Sequence, residues 1–127
     1  MTDSFVFKSS LFLPESGEDS ETNPGLFGKA LAAWLGDRLA DGGHVVEGQV
    51  AEDFGRLVQL KHARFRTYVA CCSTDESATE WRVFAIVEGG GLFAGKDKAA
   101  ALTRLTAEVE AILRREAGIV DLQVEPA

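Results

Sequence analysis

Three strand-like segments follow one another with short connections, and this feature constrains the fold more than any other. They span residues 56–60, 65–72 and 81–88, so four and eight residues separate them. Consecutive strands joined by such short connections pair in antiparallel fashion, because a parallel crossover needs a dozen or more residues. The central part of the chain therefore predicts an antiparallel meander.

A helix is predicted on each side of this meander. The first begins at Asn23-Pro24, an N-cap residue followed by a proline at the first helical position, and ends at the glycines 42–43. Apolar residues recur along it at helical spacing. The second covers about residues 98–116, where five large apolar residues fall on one face. Both segments predict amphipathic helices that bury one side.

Three further strands complete the predicted order. Residues 5–13 and 120–124 alternate apolar and polar side chains, whereas residues 44–50 form a weaker strand interrupted by Gly48. The order β-α-β-β-β-β-α-β predicts an α+β two-layer sandwich. In it, a mostly antiparallel sheet of five to six strands carries both helices on one face. The length of 127 residues predicts a single domain spanning residues 1–127.

The charge of the chain indicates which partners it favours. Thirteen Lys and Arg residues against twenty Asp and Glu residues give a formal charge of −7. Nucleic acids and anionic membranes attract basic surfaces, so neither is expected as a partner. Residues 14–23 are rich in turn-forming residues and predict an acidic, mobile loop. Its acidic residues are Glu15, Glu18, Asp19 and Glu21.

The sequence predicts a cytoplasmic protein. No apolar run approaches the ~20 residues that span a bilayer, and the N-terminus lacks the pattern of a signal peptide. Cys71 and Cys72 are adjacent on a strand, so their side chains are expected on opposite faces rather than at a shared metal or redox site. Neither a metal nor a cofactor is expected.

One segment lies close to a phosphate-binding loop. An apolar strand leads to Gly90, and Gly95 and Lys96 follow at the P-loop spacing, but Asp97 replaces the hydroxyl residue that holds Mg²⁺. A carboxylate there would repel phosphate, and a meander strand is not the parallel strand that this loop follows. The segment is better interpreted as a strand end, a glycine turn and a helix capped by Asp97.

The remaining polar residues predict no catalytic arrangement. No serine lies in a G-x-S-x-G turn. The acidic pairs at residues 52–53 and 75–76 fall in loops and are expected to be solvated. An enzyme or small-molecule-binding domain with a site between the helices and the sheet stays open as an alternative. Its candidate residues would be His44, His62, Asp53 and one of the cysteines.

Aromatic residues outside the helices suggest an interaction surface. Trp81 follows a polar stretch and is expected to be partly exposed at the sheet edge, while Phe54 and Phe93 lie in glycine-containing loops. Aromatic side chains at such positions often anchor protein interfaces. The alternative is that they close the ends of the sheet.

The segment 23–60 resembles a group of small uncharacterised bacterial proteins. The shared pattern is N-P-G-x-F-G, an amphipathic helix and an E-D-[WF]-G turn before a strand. Here the pattern begins at Asn23 and the turn at Glu52, with Phe54 where tryptophan is common. The resemblance covers about a third of the chain. It implies a bacterial origin and no particular reaction, and it directs attention to where the helix start meets the turn.

Together these features predict a non-catalytic acidic binding protein, such as an inhibitor or an immunity protein that neutralises a toxin. The expected partner is another protein, with a basic surface favoured, and association with a second copy stays open. The candidate interface residues are Glu15, Glu18, Asp19, Glu21, Asp53, Phe54, Trp81 and Phe93.

Overall fold

A computed structural model describes residues 3–126, which form two helices and one six-stranded sheet. The element order β-α-β-β-β-β-α-β is the predicted one. The strands are β1 (Ser4–Lys8), β2 (Val46–Glu52), β3 (Gly55–Leu60), β4 (Arg66–Ser73), β5 (Glu80–Glu88) and β6 (Val120–Glu125). The helices are α1 (Lys29–Asp41) and α2 (Gly95–Arg115), and a short 3-10 turn covers Glu18–Ser20.

The sheet is antiparallel throughout, with the strand order β2-β3-β4-β5-β1-β6. Strands β2 to β5 form the predicted meander, because each is joined to the next by a short connection. The first strand pairs with β5, and the last strand pairs with the outer side of β1. The predicted mostly antiparallel α+β sheet is thus confirmed.

Both helices pack on one face of the sheet. Every second residue of each strand lines this face. α1 lies over β2, β3 and β4, whereas α2 lies over β5 and touches α1. Alternate strand residues point into this layer because successive side chains of a strand lie on opposite faces. The largest buried side chains there are Trp81, Phe5, Phe7, Leu31, Leu35, Leu39 and Leu113. The opposite face of the sheet carries no helix.

The first strand is shorter than predicted. It ends at Lys8, and one further hydrogen bond, from the backbone N–H of Ser9 to the carbonyl of Thr79, continues its register with the chain before β5. Phe12 nevertheless reaches the core, where its ring lies 5.4 Å from that of Trp34 and 5.9 Å from that of Trp81. The apolar pattern of residues 9–13 therefore reflects a buried loop residue rather than continued strand pairing.

Both helix starts also differ from the prediction. α1 begins at Lys29 with Gly28 as its N-cap, so Asn23 does not cap it. α2 begins at Gly95 after Ala94, so Asp97 lies in the first turn rather than at the cap. There its carboxylate pairs with Arg64 of the β3–β4 turn. An acidic side chain in the first turn still suits the positive end of the helix dipole.

The glycine segment 89–91 ends β5 and reverses the chain. All three glycines have positive φ, between 77° and 90°, where side chains are strained. β5 is antiparallel to both of its neighbours. A parallel strand leading into a phosphate-binding loop is therefore not formed here. Neither helix of residues 3–126 is long and apolar enough to cross a membrane.

Candidate functional site

Three loops meet at one end of the sheet. In an antiparallel meander successive turns alternate between the two ends, so the β2–β3 and β4–β5 turns lie at the same end. β1 also ends there, because Lys8 pairs with Glu80 at the start of β5. The long loop between β1 and α1 therefore begins beside both turns. We call this region, formed by residues 15–28, 52–55 and 74–79, the acidic end.

Backbone contacts join these loops. The N–H of Asn23 donates to the carbonyl of Asp53 in the β2–β3 turn, at 3.1 Å. A Cβ placed on Gly25 would lie 2.6 Å from Cγ of Glu76, so the β4–β5 turn lies directly against the Asn23-Pro24-Gly25 turn. The Asn23-Pro24-Gly25 turn and the E-D-F-G turn therefore do meet, although α1 itself begins later, at Lys29.

Glu18 holds the long loop against the start of α1. Its carboxylate accepts hydrogen bonds from the backbone N–H groups of Gly28 at 3.2 Å, Lys29 at 3.1 Å and Glu15 at 2.7 Å. The side chain is only 4% exposed. The first N–H groups of a helix lack partners within the helix, and a carboxylate also suits the positive end of its dipole. Glu18 thus supplies the cap expected from Asn23.

Two basic residues lie against the acidic end, and each faces one carboxylate of the long loop. Lys29 Nζ donates to Glu15 at 2.7 Å, and this hydrogen bond and the charge of Glu15 raise the pKa of Lys29. Arg56 is 6% exposed, and its Nη2 lies 3.5 Å from Glu21. Nε and Nη2 of Arg56 have no hydrogen-bond partner among the described residues.

Negative charge is concentrated at this end of the molecule. Its eight acidic residues are Glu15, Glu18, Asp19, Glu21, Glu52, Asp53, Asp75 and Glu76. Lys29 and Arg56 offset two of these charges, which leaves most of the chain's formal charge of −7 in these loops. Hydrogen bonds from the Ser77 hydroxyl and backbone N–H lower the pKa of Asp75 and favour its ionised form.

The other end of the meander carries basic side chains. The β3–β4 turn contributes Lys61 and Arg64, and Arg66 begins β4. Arg64 pairs with Asp97, and Arg66 lies 3.7 Å from Glu88. Residues 61–65 are thus a turn between strands that lies opposite the acidic end.

Phe54 projects from the acidic end onto the helix-free face of the sheet. Its ring stacks on that of Phe84, with 6.4 Å between the centroids and an angle of 30° between the planes. Ala70, paired with both Leu57 and Phe84 across the strands, is fully buried on that face. Phe54 remains 39% exposed. An aromatic ring therefore stays available beside the carboxylates.

The structure does not bring all candidate interface residues together. Glu15, Asp19, Glu21, Asp53 and Phe54 share the acidic end. Phe93 is 94% exposed but lies in the loop before α2, at the opposite end of the sheet. Next to it, Leu92 is 95% exposed, a neighbour that sequence reasoning overlooked. Whether any of these residues contacts a partner stays a prediction.

Two candidates are not exposed, which corrects the expectation for them. Trp81 is 1% exposed because it points into the helix-covered layer, where its Nε1 donates to the carbonyl of Ser9 at 3.2 Å. The polar residues before Trp81 form the β4–β5 turn, and their exposure does not continue to the Trp81 side chain. Glu18 is buried by its role at the start of α1.

The residues of the enzymatic alternative do not all share one site. His44 Nε2 lies 2.5 Å from Glu108 of α2, and His62 accepts hydrogen bonds from the backbone of its own turn. Both histidines line a cavity of about 340 Å³ between α2 and the β3 end. Asp53 is at the acidic end.

The cysteines are also separate from that cavity. Cys71 points into the core, whereas Cys72 faces the helix-free side, and burial raises the pKa of both thiols. Within residues 3–126, no group of three or more His, Cys, Asp or Glu side chains is arranged to hold a metal ion.

Comparison of the chain with protein-family models, with curated proteins and with solved structures found no match. The resemblance of residues 23–60 to small bacterial proteins therefore stays a prediction. The residues that sequence reasoning undervalued at the acidic end are Arg56, Asp75 and Glu76. The signal for Asp75 and Glu76 was present in the sequence, because acidic pairs occur in two hairpin turns that an antiparallel meander places side by side.

Proposed function

We propose that this protein is a non-catalytic binding protein that recognises a basic surface of another protein through its acidic end. The observation that carries the proposal is the convergence of three acidic loops beside the half-exposed ring of Phe54. Charge of one sign speeds the encounter with an oppositely charged partner. An aromatic side chain next to it offers the apolar anchor that protein interfaces commonly use.

Hydrogen bonds hold the acidic loops in place, which favours a binding surface over a set of carboxylates that only contact water. Glu18 fixes the long loop to α1, the Asp19 carboxylate accepts the N–H of Gly25 at 2.9 Å, and Asn23 fixes the loop to the β2–β3 turn. A surface held in one shape loses less conformational entropy on binding. In its narrower form, the proposal is an inhibitor or immunity-type protein of the bacterial cytoplasm that neutralises a basic protein such as a nuclease.

A charge-reversal experiment tests the proposal. The wild-type protein and the double variant Asp53→Lys/Glu76→Lys would be immobilised and exposed to lysate from the native bacterium. We expect the wild type to retain a basic protein that elevated salt releases, because salt screens the attraction. The double variant should retain at least tenfold less of that protein.

The matched control is Asp37→Lys/Asp41→Lys, which changes the net charge equally on the exposed side of α1. It should bind as the wild type does. Equal loss with both double variants would mean that net charge alone attracts the partner. That result, retention unaffected by Asp53→Lys/Glu76→Lys, or no retained basic protein would overturn the proposal.

The alternative, a small-molecule-binding domain or enzyme, is favoured by one observation. The cavity of about 340 Å³ brings together His44, His62 and Lys61, with Glu108 held by His44. A ligand that binds only the native state raises the melting temperature by mass action. A thermal-shift screen with nucleotides, divalent metals and metabolites would support this alternative if His44→Ala abolished a shift seen with the wild type.

A further inference from the structure

The helix-free face of the sheet presents a continuous apolar centre. Paired residues of an antiparallel sheet share one face, so the strand registers identify its members. Leu57, Ala70 and Phe84 lie in one row across β3, β4 and β5, and Gln59, Tyr68 and Ile86 lie in the next. Val6 extends the surface onto β1. We call this surface the open face.

The side chains of the open face are only partly covered within one chain. Leu57 and Ala70 are buried beneath their neighbours, while Tyr68, Phe84, Ile86 and Val6 are half-buried. An antiparallel sheet can leave one face in water, but such a face is then mostly polar. Half-buried aromatic and aliphatic residues stand here in a row, and Phe54 beside them is 39% exposed. Such a row is the kind of surface that an interface covers.

The charges around the open face are nearly balanced. The register places three basic residues, Lys8, Arg66 and Arg82, and four acidic residues, Glu52, Glu80, Glu88 and Glu125, on this side. Arg82 pairs with Glu125 at 2.9 Å, and Arg66 lies 3.7 Å from Glu88. The open face therefore carries almost none of the chain's net charge of −7.

This balance selects the occupant. A basic protein would be drawn to the acidic end, and it would find no excess of negative charge on the open face. A second copy of the same chain brings an equally mixed rim, so a twofold axis can set arginines of one copy against glutamates of the other. Repulsion between the acidic ends stays small if they point away from this contact.

The area of the open face suffices for a modest dimer. Six strands about 4.8 Å apart, each contributing about five residues of 3.3 Å, cover roughly 500 Å². Two copies in contact would then bury about 1,000 Å², which is the minimum expected of a specific interface and lies below the usual range for stable ones. We propose that the open face is the interface of a homodimer whose two sheets pack face to face, with Phe54, which stacks on Phe84, at the edge of that interface beside the acidic end.

Sedimentation analysis of the full chain at increasing concentration tests this proposal. The wild type should shift from 13.7 kDa towards twice that mass as concentration rises into the high-micromolar range. Ile86→Glu places a charge at the centre of the interface, on a side chain that is half-buried in one chain. We expect it to weaken dimerisation at least tenfold. Added salt should weaken the dimer only slightly, because it screens the charges of the rim and not the apolar centre.

Two further variants keep the test decisive. Ala100→Glu adds the same charge on the exposed side of α2 and should dimerise as the wild type does. Arg66→Glu reverses the charge of an exposed rim residue and leaves the centre of the interface unchanged. It should also weaken the dimer, so it tests the interface if Ile86→Glu fails to fold. A wild type that stays monomeric throughout, or a dimer that Ile86→Glu and Arg66→Glu leave unchanged, would overturn the proposal.

Discussion

The Glu18 carboxylate lies 3.1 Å from the backbone nitrogen of Lys29, eleven residues further along the chain. It also accepts the N–H of Gly28, so one buried side chain satisfies two donors at the start of α1. The acidic loop is therefore part of the fold, because Glu18 caps α1 while the other carboxylates of the loop lie at the surface.

Removing this carboxylate should destabilise the protein. We expect Glu18→Ala to lower the free energy of unfolding by about 2 kcal/mol, because it leaves the N–H groups at the helix start without a partner. Glu18→Gln keeps one acceptor oxygen and should lose less. Urea unfolding measures both changes, with Asp37→Ala on the exposed side of α1 as the control. Equal stability of all three variants would show that the Glu18 contacts contribute nothing.

Gly28 should tolerate no side chain. A Cβ at this position would lie 2.3 Å from the carbonyl oxygen of Cys71, within the backbone of β4. Gly28→Ala therefore forces α1 away from the sheet, and we expect a loss of at least about 2 kcal/mol, as for other overpacked sites. Gly95→Ala is the matched control, since no atom lies within 4 Å of its Cβ position. It should be neutral or stabilise the protein slightly.

Trp81 should behave as a core residue. Trp81→Ala should cost about 3–5 kcal/mol, the range for deleting a large buried aromatic side chain. Trp81→Phe should cost less, because it loses mainly the hydrogen bond to Ser9 and part of the ring. Trp34→Phe, at a half-buried site, is the comparison. Unfolding should be monitored by circular dichroism, because each tryptophan substitution also changes the fluorescence signal. A Trp81→Ala cost under 1 kcal/mol would contradict its burial.

The cysteines should make stability fall at alkaline pH. Burial raises the pKa of both thiols in the folded protein, whereas unfolded thiols ionise near about pH 8.5. Above that pH the unfolded chain binds fewer protons than the folded one, so the free energy of unfolding decreases as pH rises. Urea unfolding between about pH 7 and pH 9.5 measures this decrease. A Cys71→Ala/Cys72→Ala variant should show a smaller decrease.

The strand pattern made the architecture predictable, because short connections leave antiparallel pairing as the simplest arrangement of residues 56–88. The insertion of β1 between β5 and β6 was not predictable. It depends on long-range pairing that no local pattern records. The predicted start of α1 was wrong for a related reason. Glu18 caps α1 from a distant part of the chain, whereas local capping rules consider only adjacent residues.

The candidate site was predictable in composition but not in arrangement. The exposed carboxylates of the long loop and Phe54 were apparent from the sequence, whereas the contribution of Asp75 and Glu76 follows from the sheet topology. Trp81 was misplaced because a polar turn precedes it, although strand parity places its side chain with Val83 in the core.

The acidic turns lie at one end of the meander, whereas at the other end Arg64 and Arg66 offset Asp97 and Glu88 and Lys61 adds a positive charge. This uneven distribution gives the molecule an electric dipole along its strands. A charged partner at a distance exerts a torque on such a dipole as well as a force. A charged partner would therefore begin to orient the protein before the two surfaces are in contact. For a basic surface that approaches, this torque would raise the fraction of encounters in which it meets the carboxylate-bearing loops.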